Sequence, residues 1–190
     1  MSTILLRNEI TPADLNALER WMSNAAVTRY LNEHRQISAH LRAVREARLP
    51  VLTPLFNQDG RFWMICAEDA PVGFLRAAYR PDNAAELVVA IGEENMWGRG
   101  LGRRGVQAGL KRVFFEMRRE EAVVHIARGN VRSERLFVGS GFAHAREVGG
   151  STQYRLTLGE CLTIPPSHDR RLSGGSAQPL QGQLSHGKFE

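Results

Sequence analysis

The stretch Ala85-Glu86-Leu87-Val88-Val89-Ala90-Ile91-Gly92-Glu93-Glu94-Asn95-Met96-Trp97-Gly98-Arg99-Gly100-Leu101-Gly102 decides the fold. Residues 86–91 are apolar enough to read as a strand buried on both faces. A glycine-rich loop follows at residues 97–102. Beyond it, Val106, Leu110, Val113, Phe114 and Met117 fall on one face of a helix of about sixteen residues. Glycines allow a tight turn and leave backbone N–H groups exposed. Together with the positive end of the helix dipole, such groups favour an anion, typically a phosphate. Arg99, Arg103 and Arg104 add positive charge at the same point.

Two familiar phosphate motifs do not account for this loop. A P-loop ends in Gly-Lys-Ser/Thr, whereas Gly102 is followed by Arg103 and Arg104. Residues 100–105 satisfy G-x-G-x-x-G literally. However, a dinucleotide fold sets its first glycine at the strand end, and here residues 92–96 intervene.

Downstream, residues 123–127 read as a strand. Asn130 is placed to cap a short helix through Leu136 and Phe137, and Gly141 to stop it. Residues from 142 and residues 153–158 read as a closing pair of strands. Upstream, residues 62–67 and 72–79 read as a hairpin around the turn 68–71, with a second turn at 80–83. Residues 4–7 read as an opening strand. Thr11, Pro12 and Asp14 mark a helix start, followed by Leu15, Leu18 and Met22 at helical spacing. Ser38 is predicted to cap a further helix carrying Leu41 and Val44. The order is that of a mixed α+β domain over residues 1–160. Residues 161–190 are rich in Ser, Gly, Pro and Gln and read as a disordered tail.

At 190 residues the chain fits a single domain. It contains no run of ~18–20 apolar residues, so no membrane is expected as a partner. Its N-terminus lacks a signal-peptide pattern, and the expected location is the cytoplasm. Cys66 and Cys161 form no metal-ligand pair, so no metal is expected; Cys66, in an apolar run, reads as a buried small hydrophobe. The net charge of +5 is uneven. Residues 97–137 hold ten Arg or Lys and four Glu, and residues 61–96 hold three Arg and six acids. A basic segment beside an acidic one suits an anionic ligand next to a cationic one, and it equally suits a solvated arginine-rich helix. A nucleic-acid-binding module is disfavoured, because one face of that helix is committed to a core.

Residues 85–102 resemble the acetyl-CoA motif of the GNAT superfamily, closest to the branch of ribosomal-protein-alanine and polyamine N-acetyltransferases. The later segment is similar to that family's second signature, with Asn130, Ser133, Phe137 and then Gly141-Phe142. The resemblance implies a mostly antiparallel twisted sheet of about seven strands, flanked by helices, in which a bulge splays the cofactor-binding strand. It implies acetyl-CoA as cosubstrate and direct transfer to a primary amine, on a small molecule or a protein N-terminus. A non-catalytic acetyl-CoA-binding domain is the alternative, and a homodimer is left open. Ala90, Ile91 and Gly92 would meet the pantetheine arm, with a strand N–H there stabilising the developing oxyanion. Gly98, Arg99, Gly100, Leu101, Gly102 and Arg103 would hold the pyrophosphate. Trp97 would cover the cofactor or pack on the helix. Asn130 and Ser133 would lie beside the thioester. Glu86 is the expected base, with Glu93 second. The family often has a tyrosine at Phe137 to protonate the thiolate. Phenylalanine cannot, which leaves Ser133, water, or no acid at all. His125, alone in its strand, reads as structural. Trp21, Tyr30 and His34 fall in the region that would line the acceptor pocket.

Overall fold

Alternation builds the sheet. In the computed structural model, which describes residues 3–31, 34–47 and 52–164, strand β2 (Gly60–Ala67) sends Trp63, Ile65 and Ala67 to one face and Phe62, Met64 and Cys66 to the other. Each set joins a different hydrophobic core, so the strand is buried on both sides. Of residues 34–36 and 47 only the backbone is described. Cys66 is a buried free thiol, as its apolar surroundings imply.

β2 pairs with β3 (Ala70–Tyr79) around Glu68 and Asp69, both with positive φ (51° and 64°). A two-residue turn of this kind matches strand twist, so β3 starts two residues earlier than the sequence reading. Asp82 and Asn83 repeat the device before β4 (Ala84–Ile91). With β1 (Ile4–Arg7), β5 (Glu121–Ala127), β6 (Ala143–Val148) and β7 (Ser151–Thr157), these strands form one sheet of order β1-β2-β3-β4-β5-β7-β6. Every pairing is antiparallel except β4 with β5.

That parallel pairing shapes the molecule. It extends only from Ala84↔Glu121 to Glu86↔Val123, and beyond Glu86 the two strands diverge. A bulge-like pattern does lie at the end of the strand, where the N–H groups of Gly92 and Glu93 both donate to the Val72 carbonyl at 2.9 and 3.2 Å, but the strands have already parted beyond Glu86. β4 keeps an unbroken register with β3 from Tyr79↔Ala85 to Gly73↔Ile91. It is not buried on both faces throughout. Residues 88–91 are half-buried, because they look into the gap left by β5.

On one face lies α5 (Leu101–Lys111), which passes into a single π-helical turn at Arg112–Glu116. Gly109 lets it sit close to the sheet, since a Cβ there would stand 2.3 Å from Leu75 Cδ1. α6 (Val131–Val138) packs beside it, with Phe137 in the same core. The opposite face carries α1 (Pro12–Met22), α2 (Ala25–Thr28), α3 (His34–Ala47) and α4 (Thr53–Phe56). α1 begins where expected. Asp14 Oδ2 accepts from the Thr11 N–H and hydroxyl at 2.7 Å each, and the same carboxylate pairs with Arg7 at 2.7 Å. Burial opposes the charge of Asp14, but Arg7 and Thr11 outweigh it and hold the carboxyl below its ordinary range. Ser38 is not a cap. It lies a turn inside α3, because Ile37 extends the apolar face of Leu41 and Val44 upstream.

A last helix, α7 (Leu158–Thr163), carries the chain past residue 160, with Leu158 and Cys161 packed on the core. Most of the segment read as a tail, residues 165–190, lies outside the described residues. Among the described residues no helix is long and apolar enough to cross a membrane.

Candidate active site

The divergence of β4 from β5 opens a cavity of about 790 Å³, within the range of ligand pockets. It runs through the sheet. One end meets the start of α5 and α6, and the other meets α2 and the residues just after it.

At the first end, Gly100 caps α5 with φ 75°, a left-handed conformation that favours glycine. No side chain caps this helix, so its first N–H groups face the cavity uncovered. Gly98, Gly100, Leu101, Gly102 and Arg103 line this end. α6 approaches from the other side. The Asn130 side chain accepts from the Ser133 N–H at 3.2 Å, which fixes the turn that presents Asn130, Ser133, Arg132 and Arg135 to the cavity. Arg103, Arg132 and Arg135 make this end cationic, which suits a diphosphate. Trp97 Nε1 donates to the Ile91 carbonyl at 2.7 Å, and the Arg132 guanidinium lies 4.2 Å from the centre of its ring. The indole thus ties the end of β4 to α6, as well as lining the space.

Along the middle, Ala90 and Ile91 line the gap. Phe137 lines it too, but it is 5% exposed and meets Phe142 edge-on at 5.2 Å. Two of the residues predicted to bind the cofactor lie elsewhere. Gly92 sits against the Trp21 indole, and its N–H donates to the Val72 carbonyl at 2.9 Å. Arg99 is exposed outside the cavity, with its carbonyl accepting from Arg104 at 2.9 Å.

At the far end stand Glu86 and His125. Glu86 Oε1 lies 2.8 Å from His125 Nδ1, and Oε2 accepts from Arg80 Nε at 2.7 Å. Burial disfavours the charge of Glu86. The hydrogen bonds from His125 and Arg80 outweigh that and hold its carboxyl below the ordinary range. Glu93 does not reach the cavity. It accepts from Trp21 Nε1 at 2.9 Å and pairs with Arg20, and the Trp21 bond leads in holding its carboxyl low. Trp21 itself is core, at 1% exposure. Tyr30 lines the cavity beside Val27 and Leu31. The side chain of His34 lies outside the described residues. Among the described residues no cluster of His, Cys, Asp and Glu could hold a metal ion.

Among the residues of this site that sequence reasoning did not assign to it are Arg132, Arg135, Arg80 and His125. Arg132 and Arg135 had a readable signal: they are three apart on the helix that Asn130 caps, so they share a face. His125 had none, because its partner is 39 residues away and adjacent only through the sheet.

A cationic cavity, opened where a strand leaves its parallel neighbour and closed at one end by a glycine loop and a helix N-terminus, suits a ligand that carries a diphosphate. The family model of the acetyltransferase (GNAT) domain matches residues 4–143, and the chain belongs to that family. It is an acetyl-CoA-dependent N-acetyltransferase by family. Solved structures share the fold. A domain from Methanocaldococcus jannaschii is 22% identical, covering 83% of this chain and 100% of its own, with a TM-score of 0.67. AAC(6′)-Ib in complex with ribostamycin and coenzyme A is 16% identical, covering 87% and 99%, with a TM-score of 0.71. Spermidine N-acetyltransferase from Vibrio cholerae, in complex with CoA and spermine, is 14% identical, covering 84% and 98%, with a TM-score of 0.65. No curated protein matches the sequence.

Proposed function

We propose that this chain transfers acetyl from acetyl-CoA to a primary amine, by direct attack with both substrates bound together. The observation that carries this reading is the through-going cavity, cationic where a diphosphate would sit and holding a carboxylate–imidazole pair at the opposite end. Gly98, Gly100, Leu101, Gly102 and Arg103, with Arg132 and Arg135, hold the diphosphate through N–H groups and guanidinium charge. Ala90 and Ile91 flank the pantetheine arm, and Asn130 and Ser133 lie opposite them. Bound acetyl-CoA supplies the thioester on which the amine acts.

An amine near the lysine reference value of ~10.4 is mostly protonated at neutral pH and must first lose a proton. Glu86 supplies the carboxylate of the group that removes it. Ser133, one turn ahead of Phe137, or water returns a proton to the thiolate. Aminoglycosides, polyamines and protein N-termini are the amine classes to test, since acetyltransferases of the same fold are solved with the first two.

Calorimetric titration with acetyl-CoA at low and high salt tests the reading. Micromolar binding, followed by thiol release with kanamycin, spermine or an N-terminal alanyl peptide, supports it. Absence of binding removes it.

A further inference from the structure

The far end of the cavity contains a complete relay that the reading above leaves unassigned. Arg80 clamps Glu86 Oε2 through Nε at 2.7 Å and through a second guanidinium nitrogen at 2.6 Å. The other carboxylate oxygen, Oε1, faces His125 Nδ1 at 2.8 Å. A carboxylate can only accept, so Nδ1 carries the proton and donates it. In the neutral ring Nε2 then holds the lone pair. His125 lines the cavity with its side chain 27% exposed, and Nε2 has no protein partner among the described residues. Glu86 already accepts from His125 at Oε1 and from Arg80 at Oε2, and its side chain is 14% exposed against 27% for His125, so the imidazole is the more open acceptor.

From this geometry we infer that His125 Nε2 takes the proton from the acceptor amine, and that Glu86, held by Arg80, is the residue that positions the imidazole. The inference rests on the cavity being an amine-acetylation site. The ammonium gives one proton to Nε2, and the freed nitrogen lone pair forms the bond to the thioester carbonyl carbon. The carbon–sulfur bond breaks with its electron pair on sulfur. The nitrogen loses its second proton as the amide forms. Of the two protons, one ends on the CoA thiol and one in solvent. No oxidant, reductant or metal enters the balance.

Among the described residues, other groups near the ring are few. Gln153 faces it from β7 and accepts from Arg146 Nε at 2.6 Å. Arg155 lies on the same sheet face opposite Val123, and Arg76 on that face opposite Val88. Tyr30 lines the cavity from the helical side. Glu86 is therefore the anion in direct contact with the imidazole.

The test begins with acetyl-CoA titration of the wild type, His125→Gln and Glu86→Gln. Equal affinity shows that all three fold and that the cofactor end is intact. With whichever of kanamycin, spermine and an alanyl peptide the wild type acetylates fastest, His125→Gln is expected to lose about 100-fold or more in kcat. Its KM for acetyl-CoA should not change, and added imidazole should restore part of the rate. In Glu86→Gln the limb of the kcat profile that rises with pH remains, because the imidazole is still present, while kcat falls because its orientation is no longer fixed by a carboxylate. A His125→Gln rate within threefold of wild type overturns the assignment. So does a limb that vanishes in Glu86→Gln, which would make Glu86 the proton acceptor. A second arm needs no amine. In the acetyl-CoA-bound protein, the imidazole Nδ1–H resonance that His125→Gln deletes is followed by NMR, and it must change position in Glu86→Gln because its acceptor is altered. An unmoved resonance breaks the pairing. Failure of acetyl-CoA to bind the wild type would instead remove the acetyltransferase reading itself.

Discussion

At Gly100 the backbone has φ 75°, and nothing lies within 4 Å of where a Cβ would stand. A side chain there meets no clash and costs about 1–2 kcal/mol for the left-handed backbone alone. A carboxylate beside the α5 N-terminus even suits the helix dipole. Gly100→Glu should therefore fold, with an unchanged far-UV spectrum, and lose acetyl-CoA binding in titration because its charge occupies the diphosphate position. Glu86 gives a second prediction. Its carboxyl is held below the ordinary range in the folded state, so the stability it contributes is present above the unfolded value of about 4.5. That stability is lost as pH falls through the lower folded value. Denaturant melts should show the wild type ahead of Glu86→Gln by about 1–3 kcal/mol at neutral pH. The gap should close in acid, below the ordinary carboxylate range.

Among the elements, α1 depends on one carboxylate. Asp14 is 2% exposed, accepts two hydrogen bonds from Thr11 and pairs with Arg7 of β1. Asp14→Ala removes the cap and leaves Arg7 without that partner. It should cost about 3 kcal/mol in denaturant unfolding. This start was legible, because Thr11, Pro12 and Asp14 act locally. So were the strand–loop–helix unit at 85–116 and the Asn130 cap, where periodicity and glycine placement carry the information. What was not legible was set by contacts distant in sequence. Ser38 carries a cap's side chain, yet Ile37 packs into the core and draws the helix past it. Gly92 belongs to the quoted motif, but the Trp21 ring occupies the space beside it. Glu93 reads from the sequence as the second candidate base, but it accepts from Trp21 and pairs with Arg20, both distant in sequence. The pairing of Glu86 with His125 exists only because β4 and β5 run parallel for three residue pairs before parting.

For the molecule as a whole, a ligand that binds only the folded state raises stability by mass action. Acetyl-CoA at 100 times its dissociation constant should add about 2.7 kcal/mol. For a domain of this size that is a rise of about 6–10 °C in Tm. A thermal melt with and without acetyl-CoA checks it, and Gly100→Glu should show no rise. The sheet that supports this cavity is joined unevenly. β4 and β5 share three residue pairs, whereas β3 with β4 and β5 with β7 each share seven. Pulled across its strands, the protein should tear along that seam, into a leaf of β1–β4 and a leaf of β5–β7. A molecule spanning the gap acts as a suture, so filling the reaction chamber should appear in an optical trap as a higher rupture force.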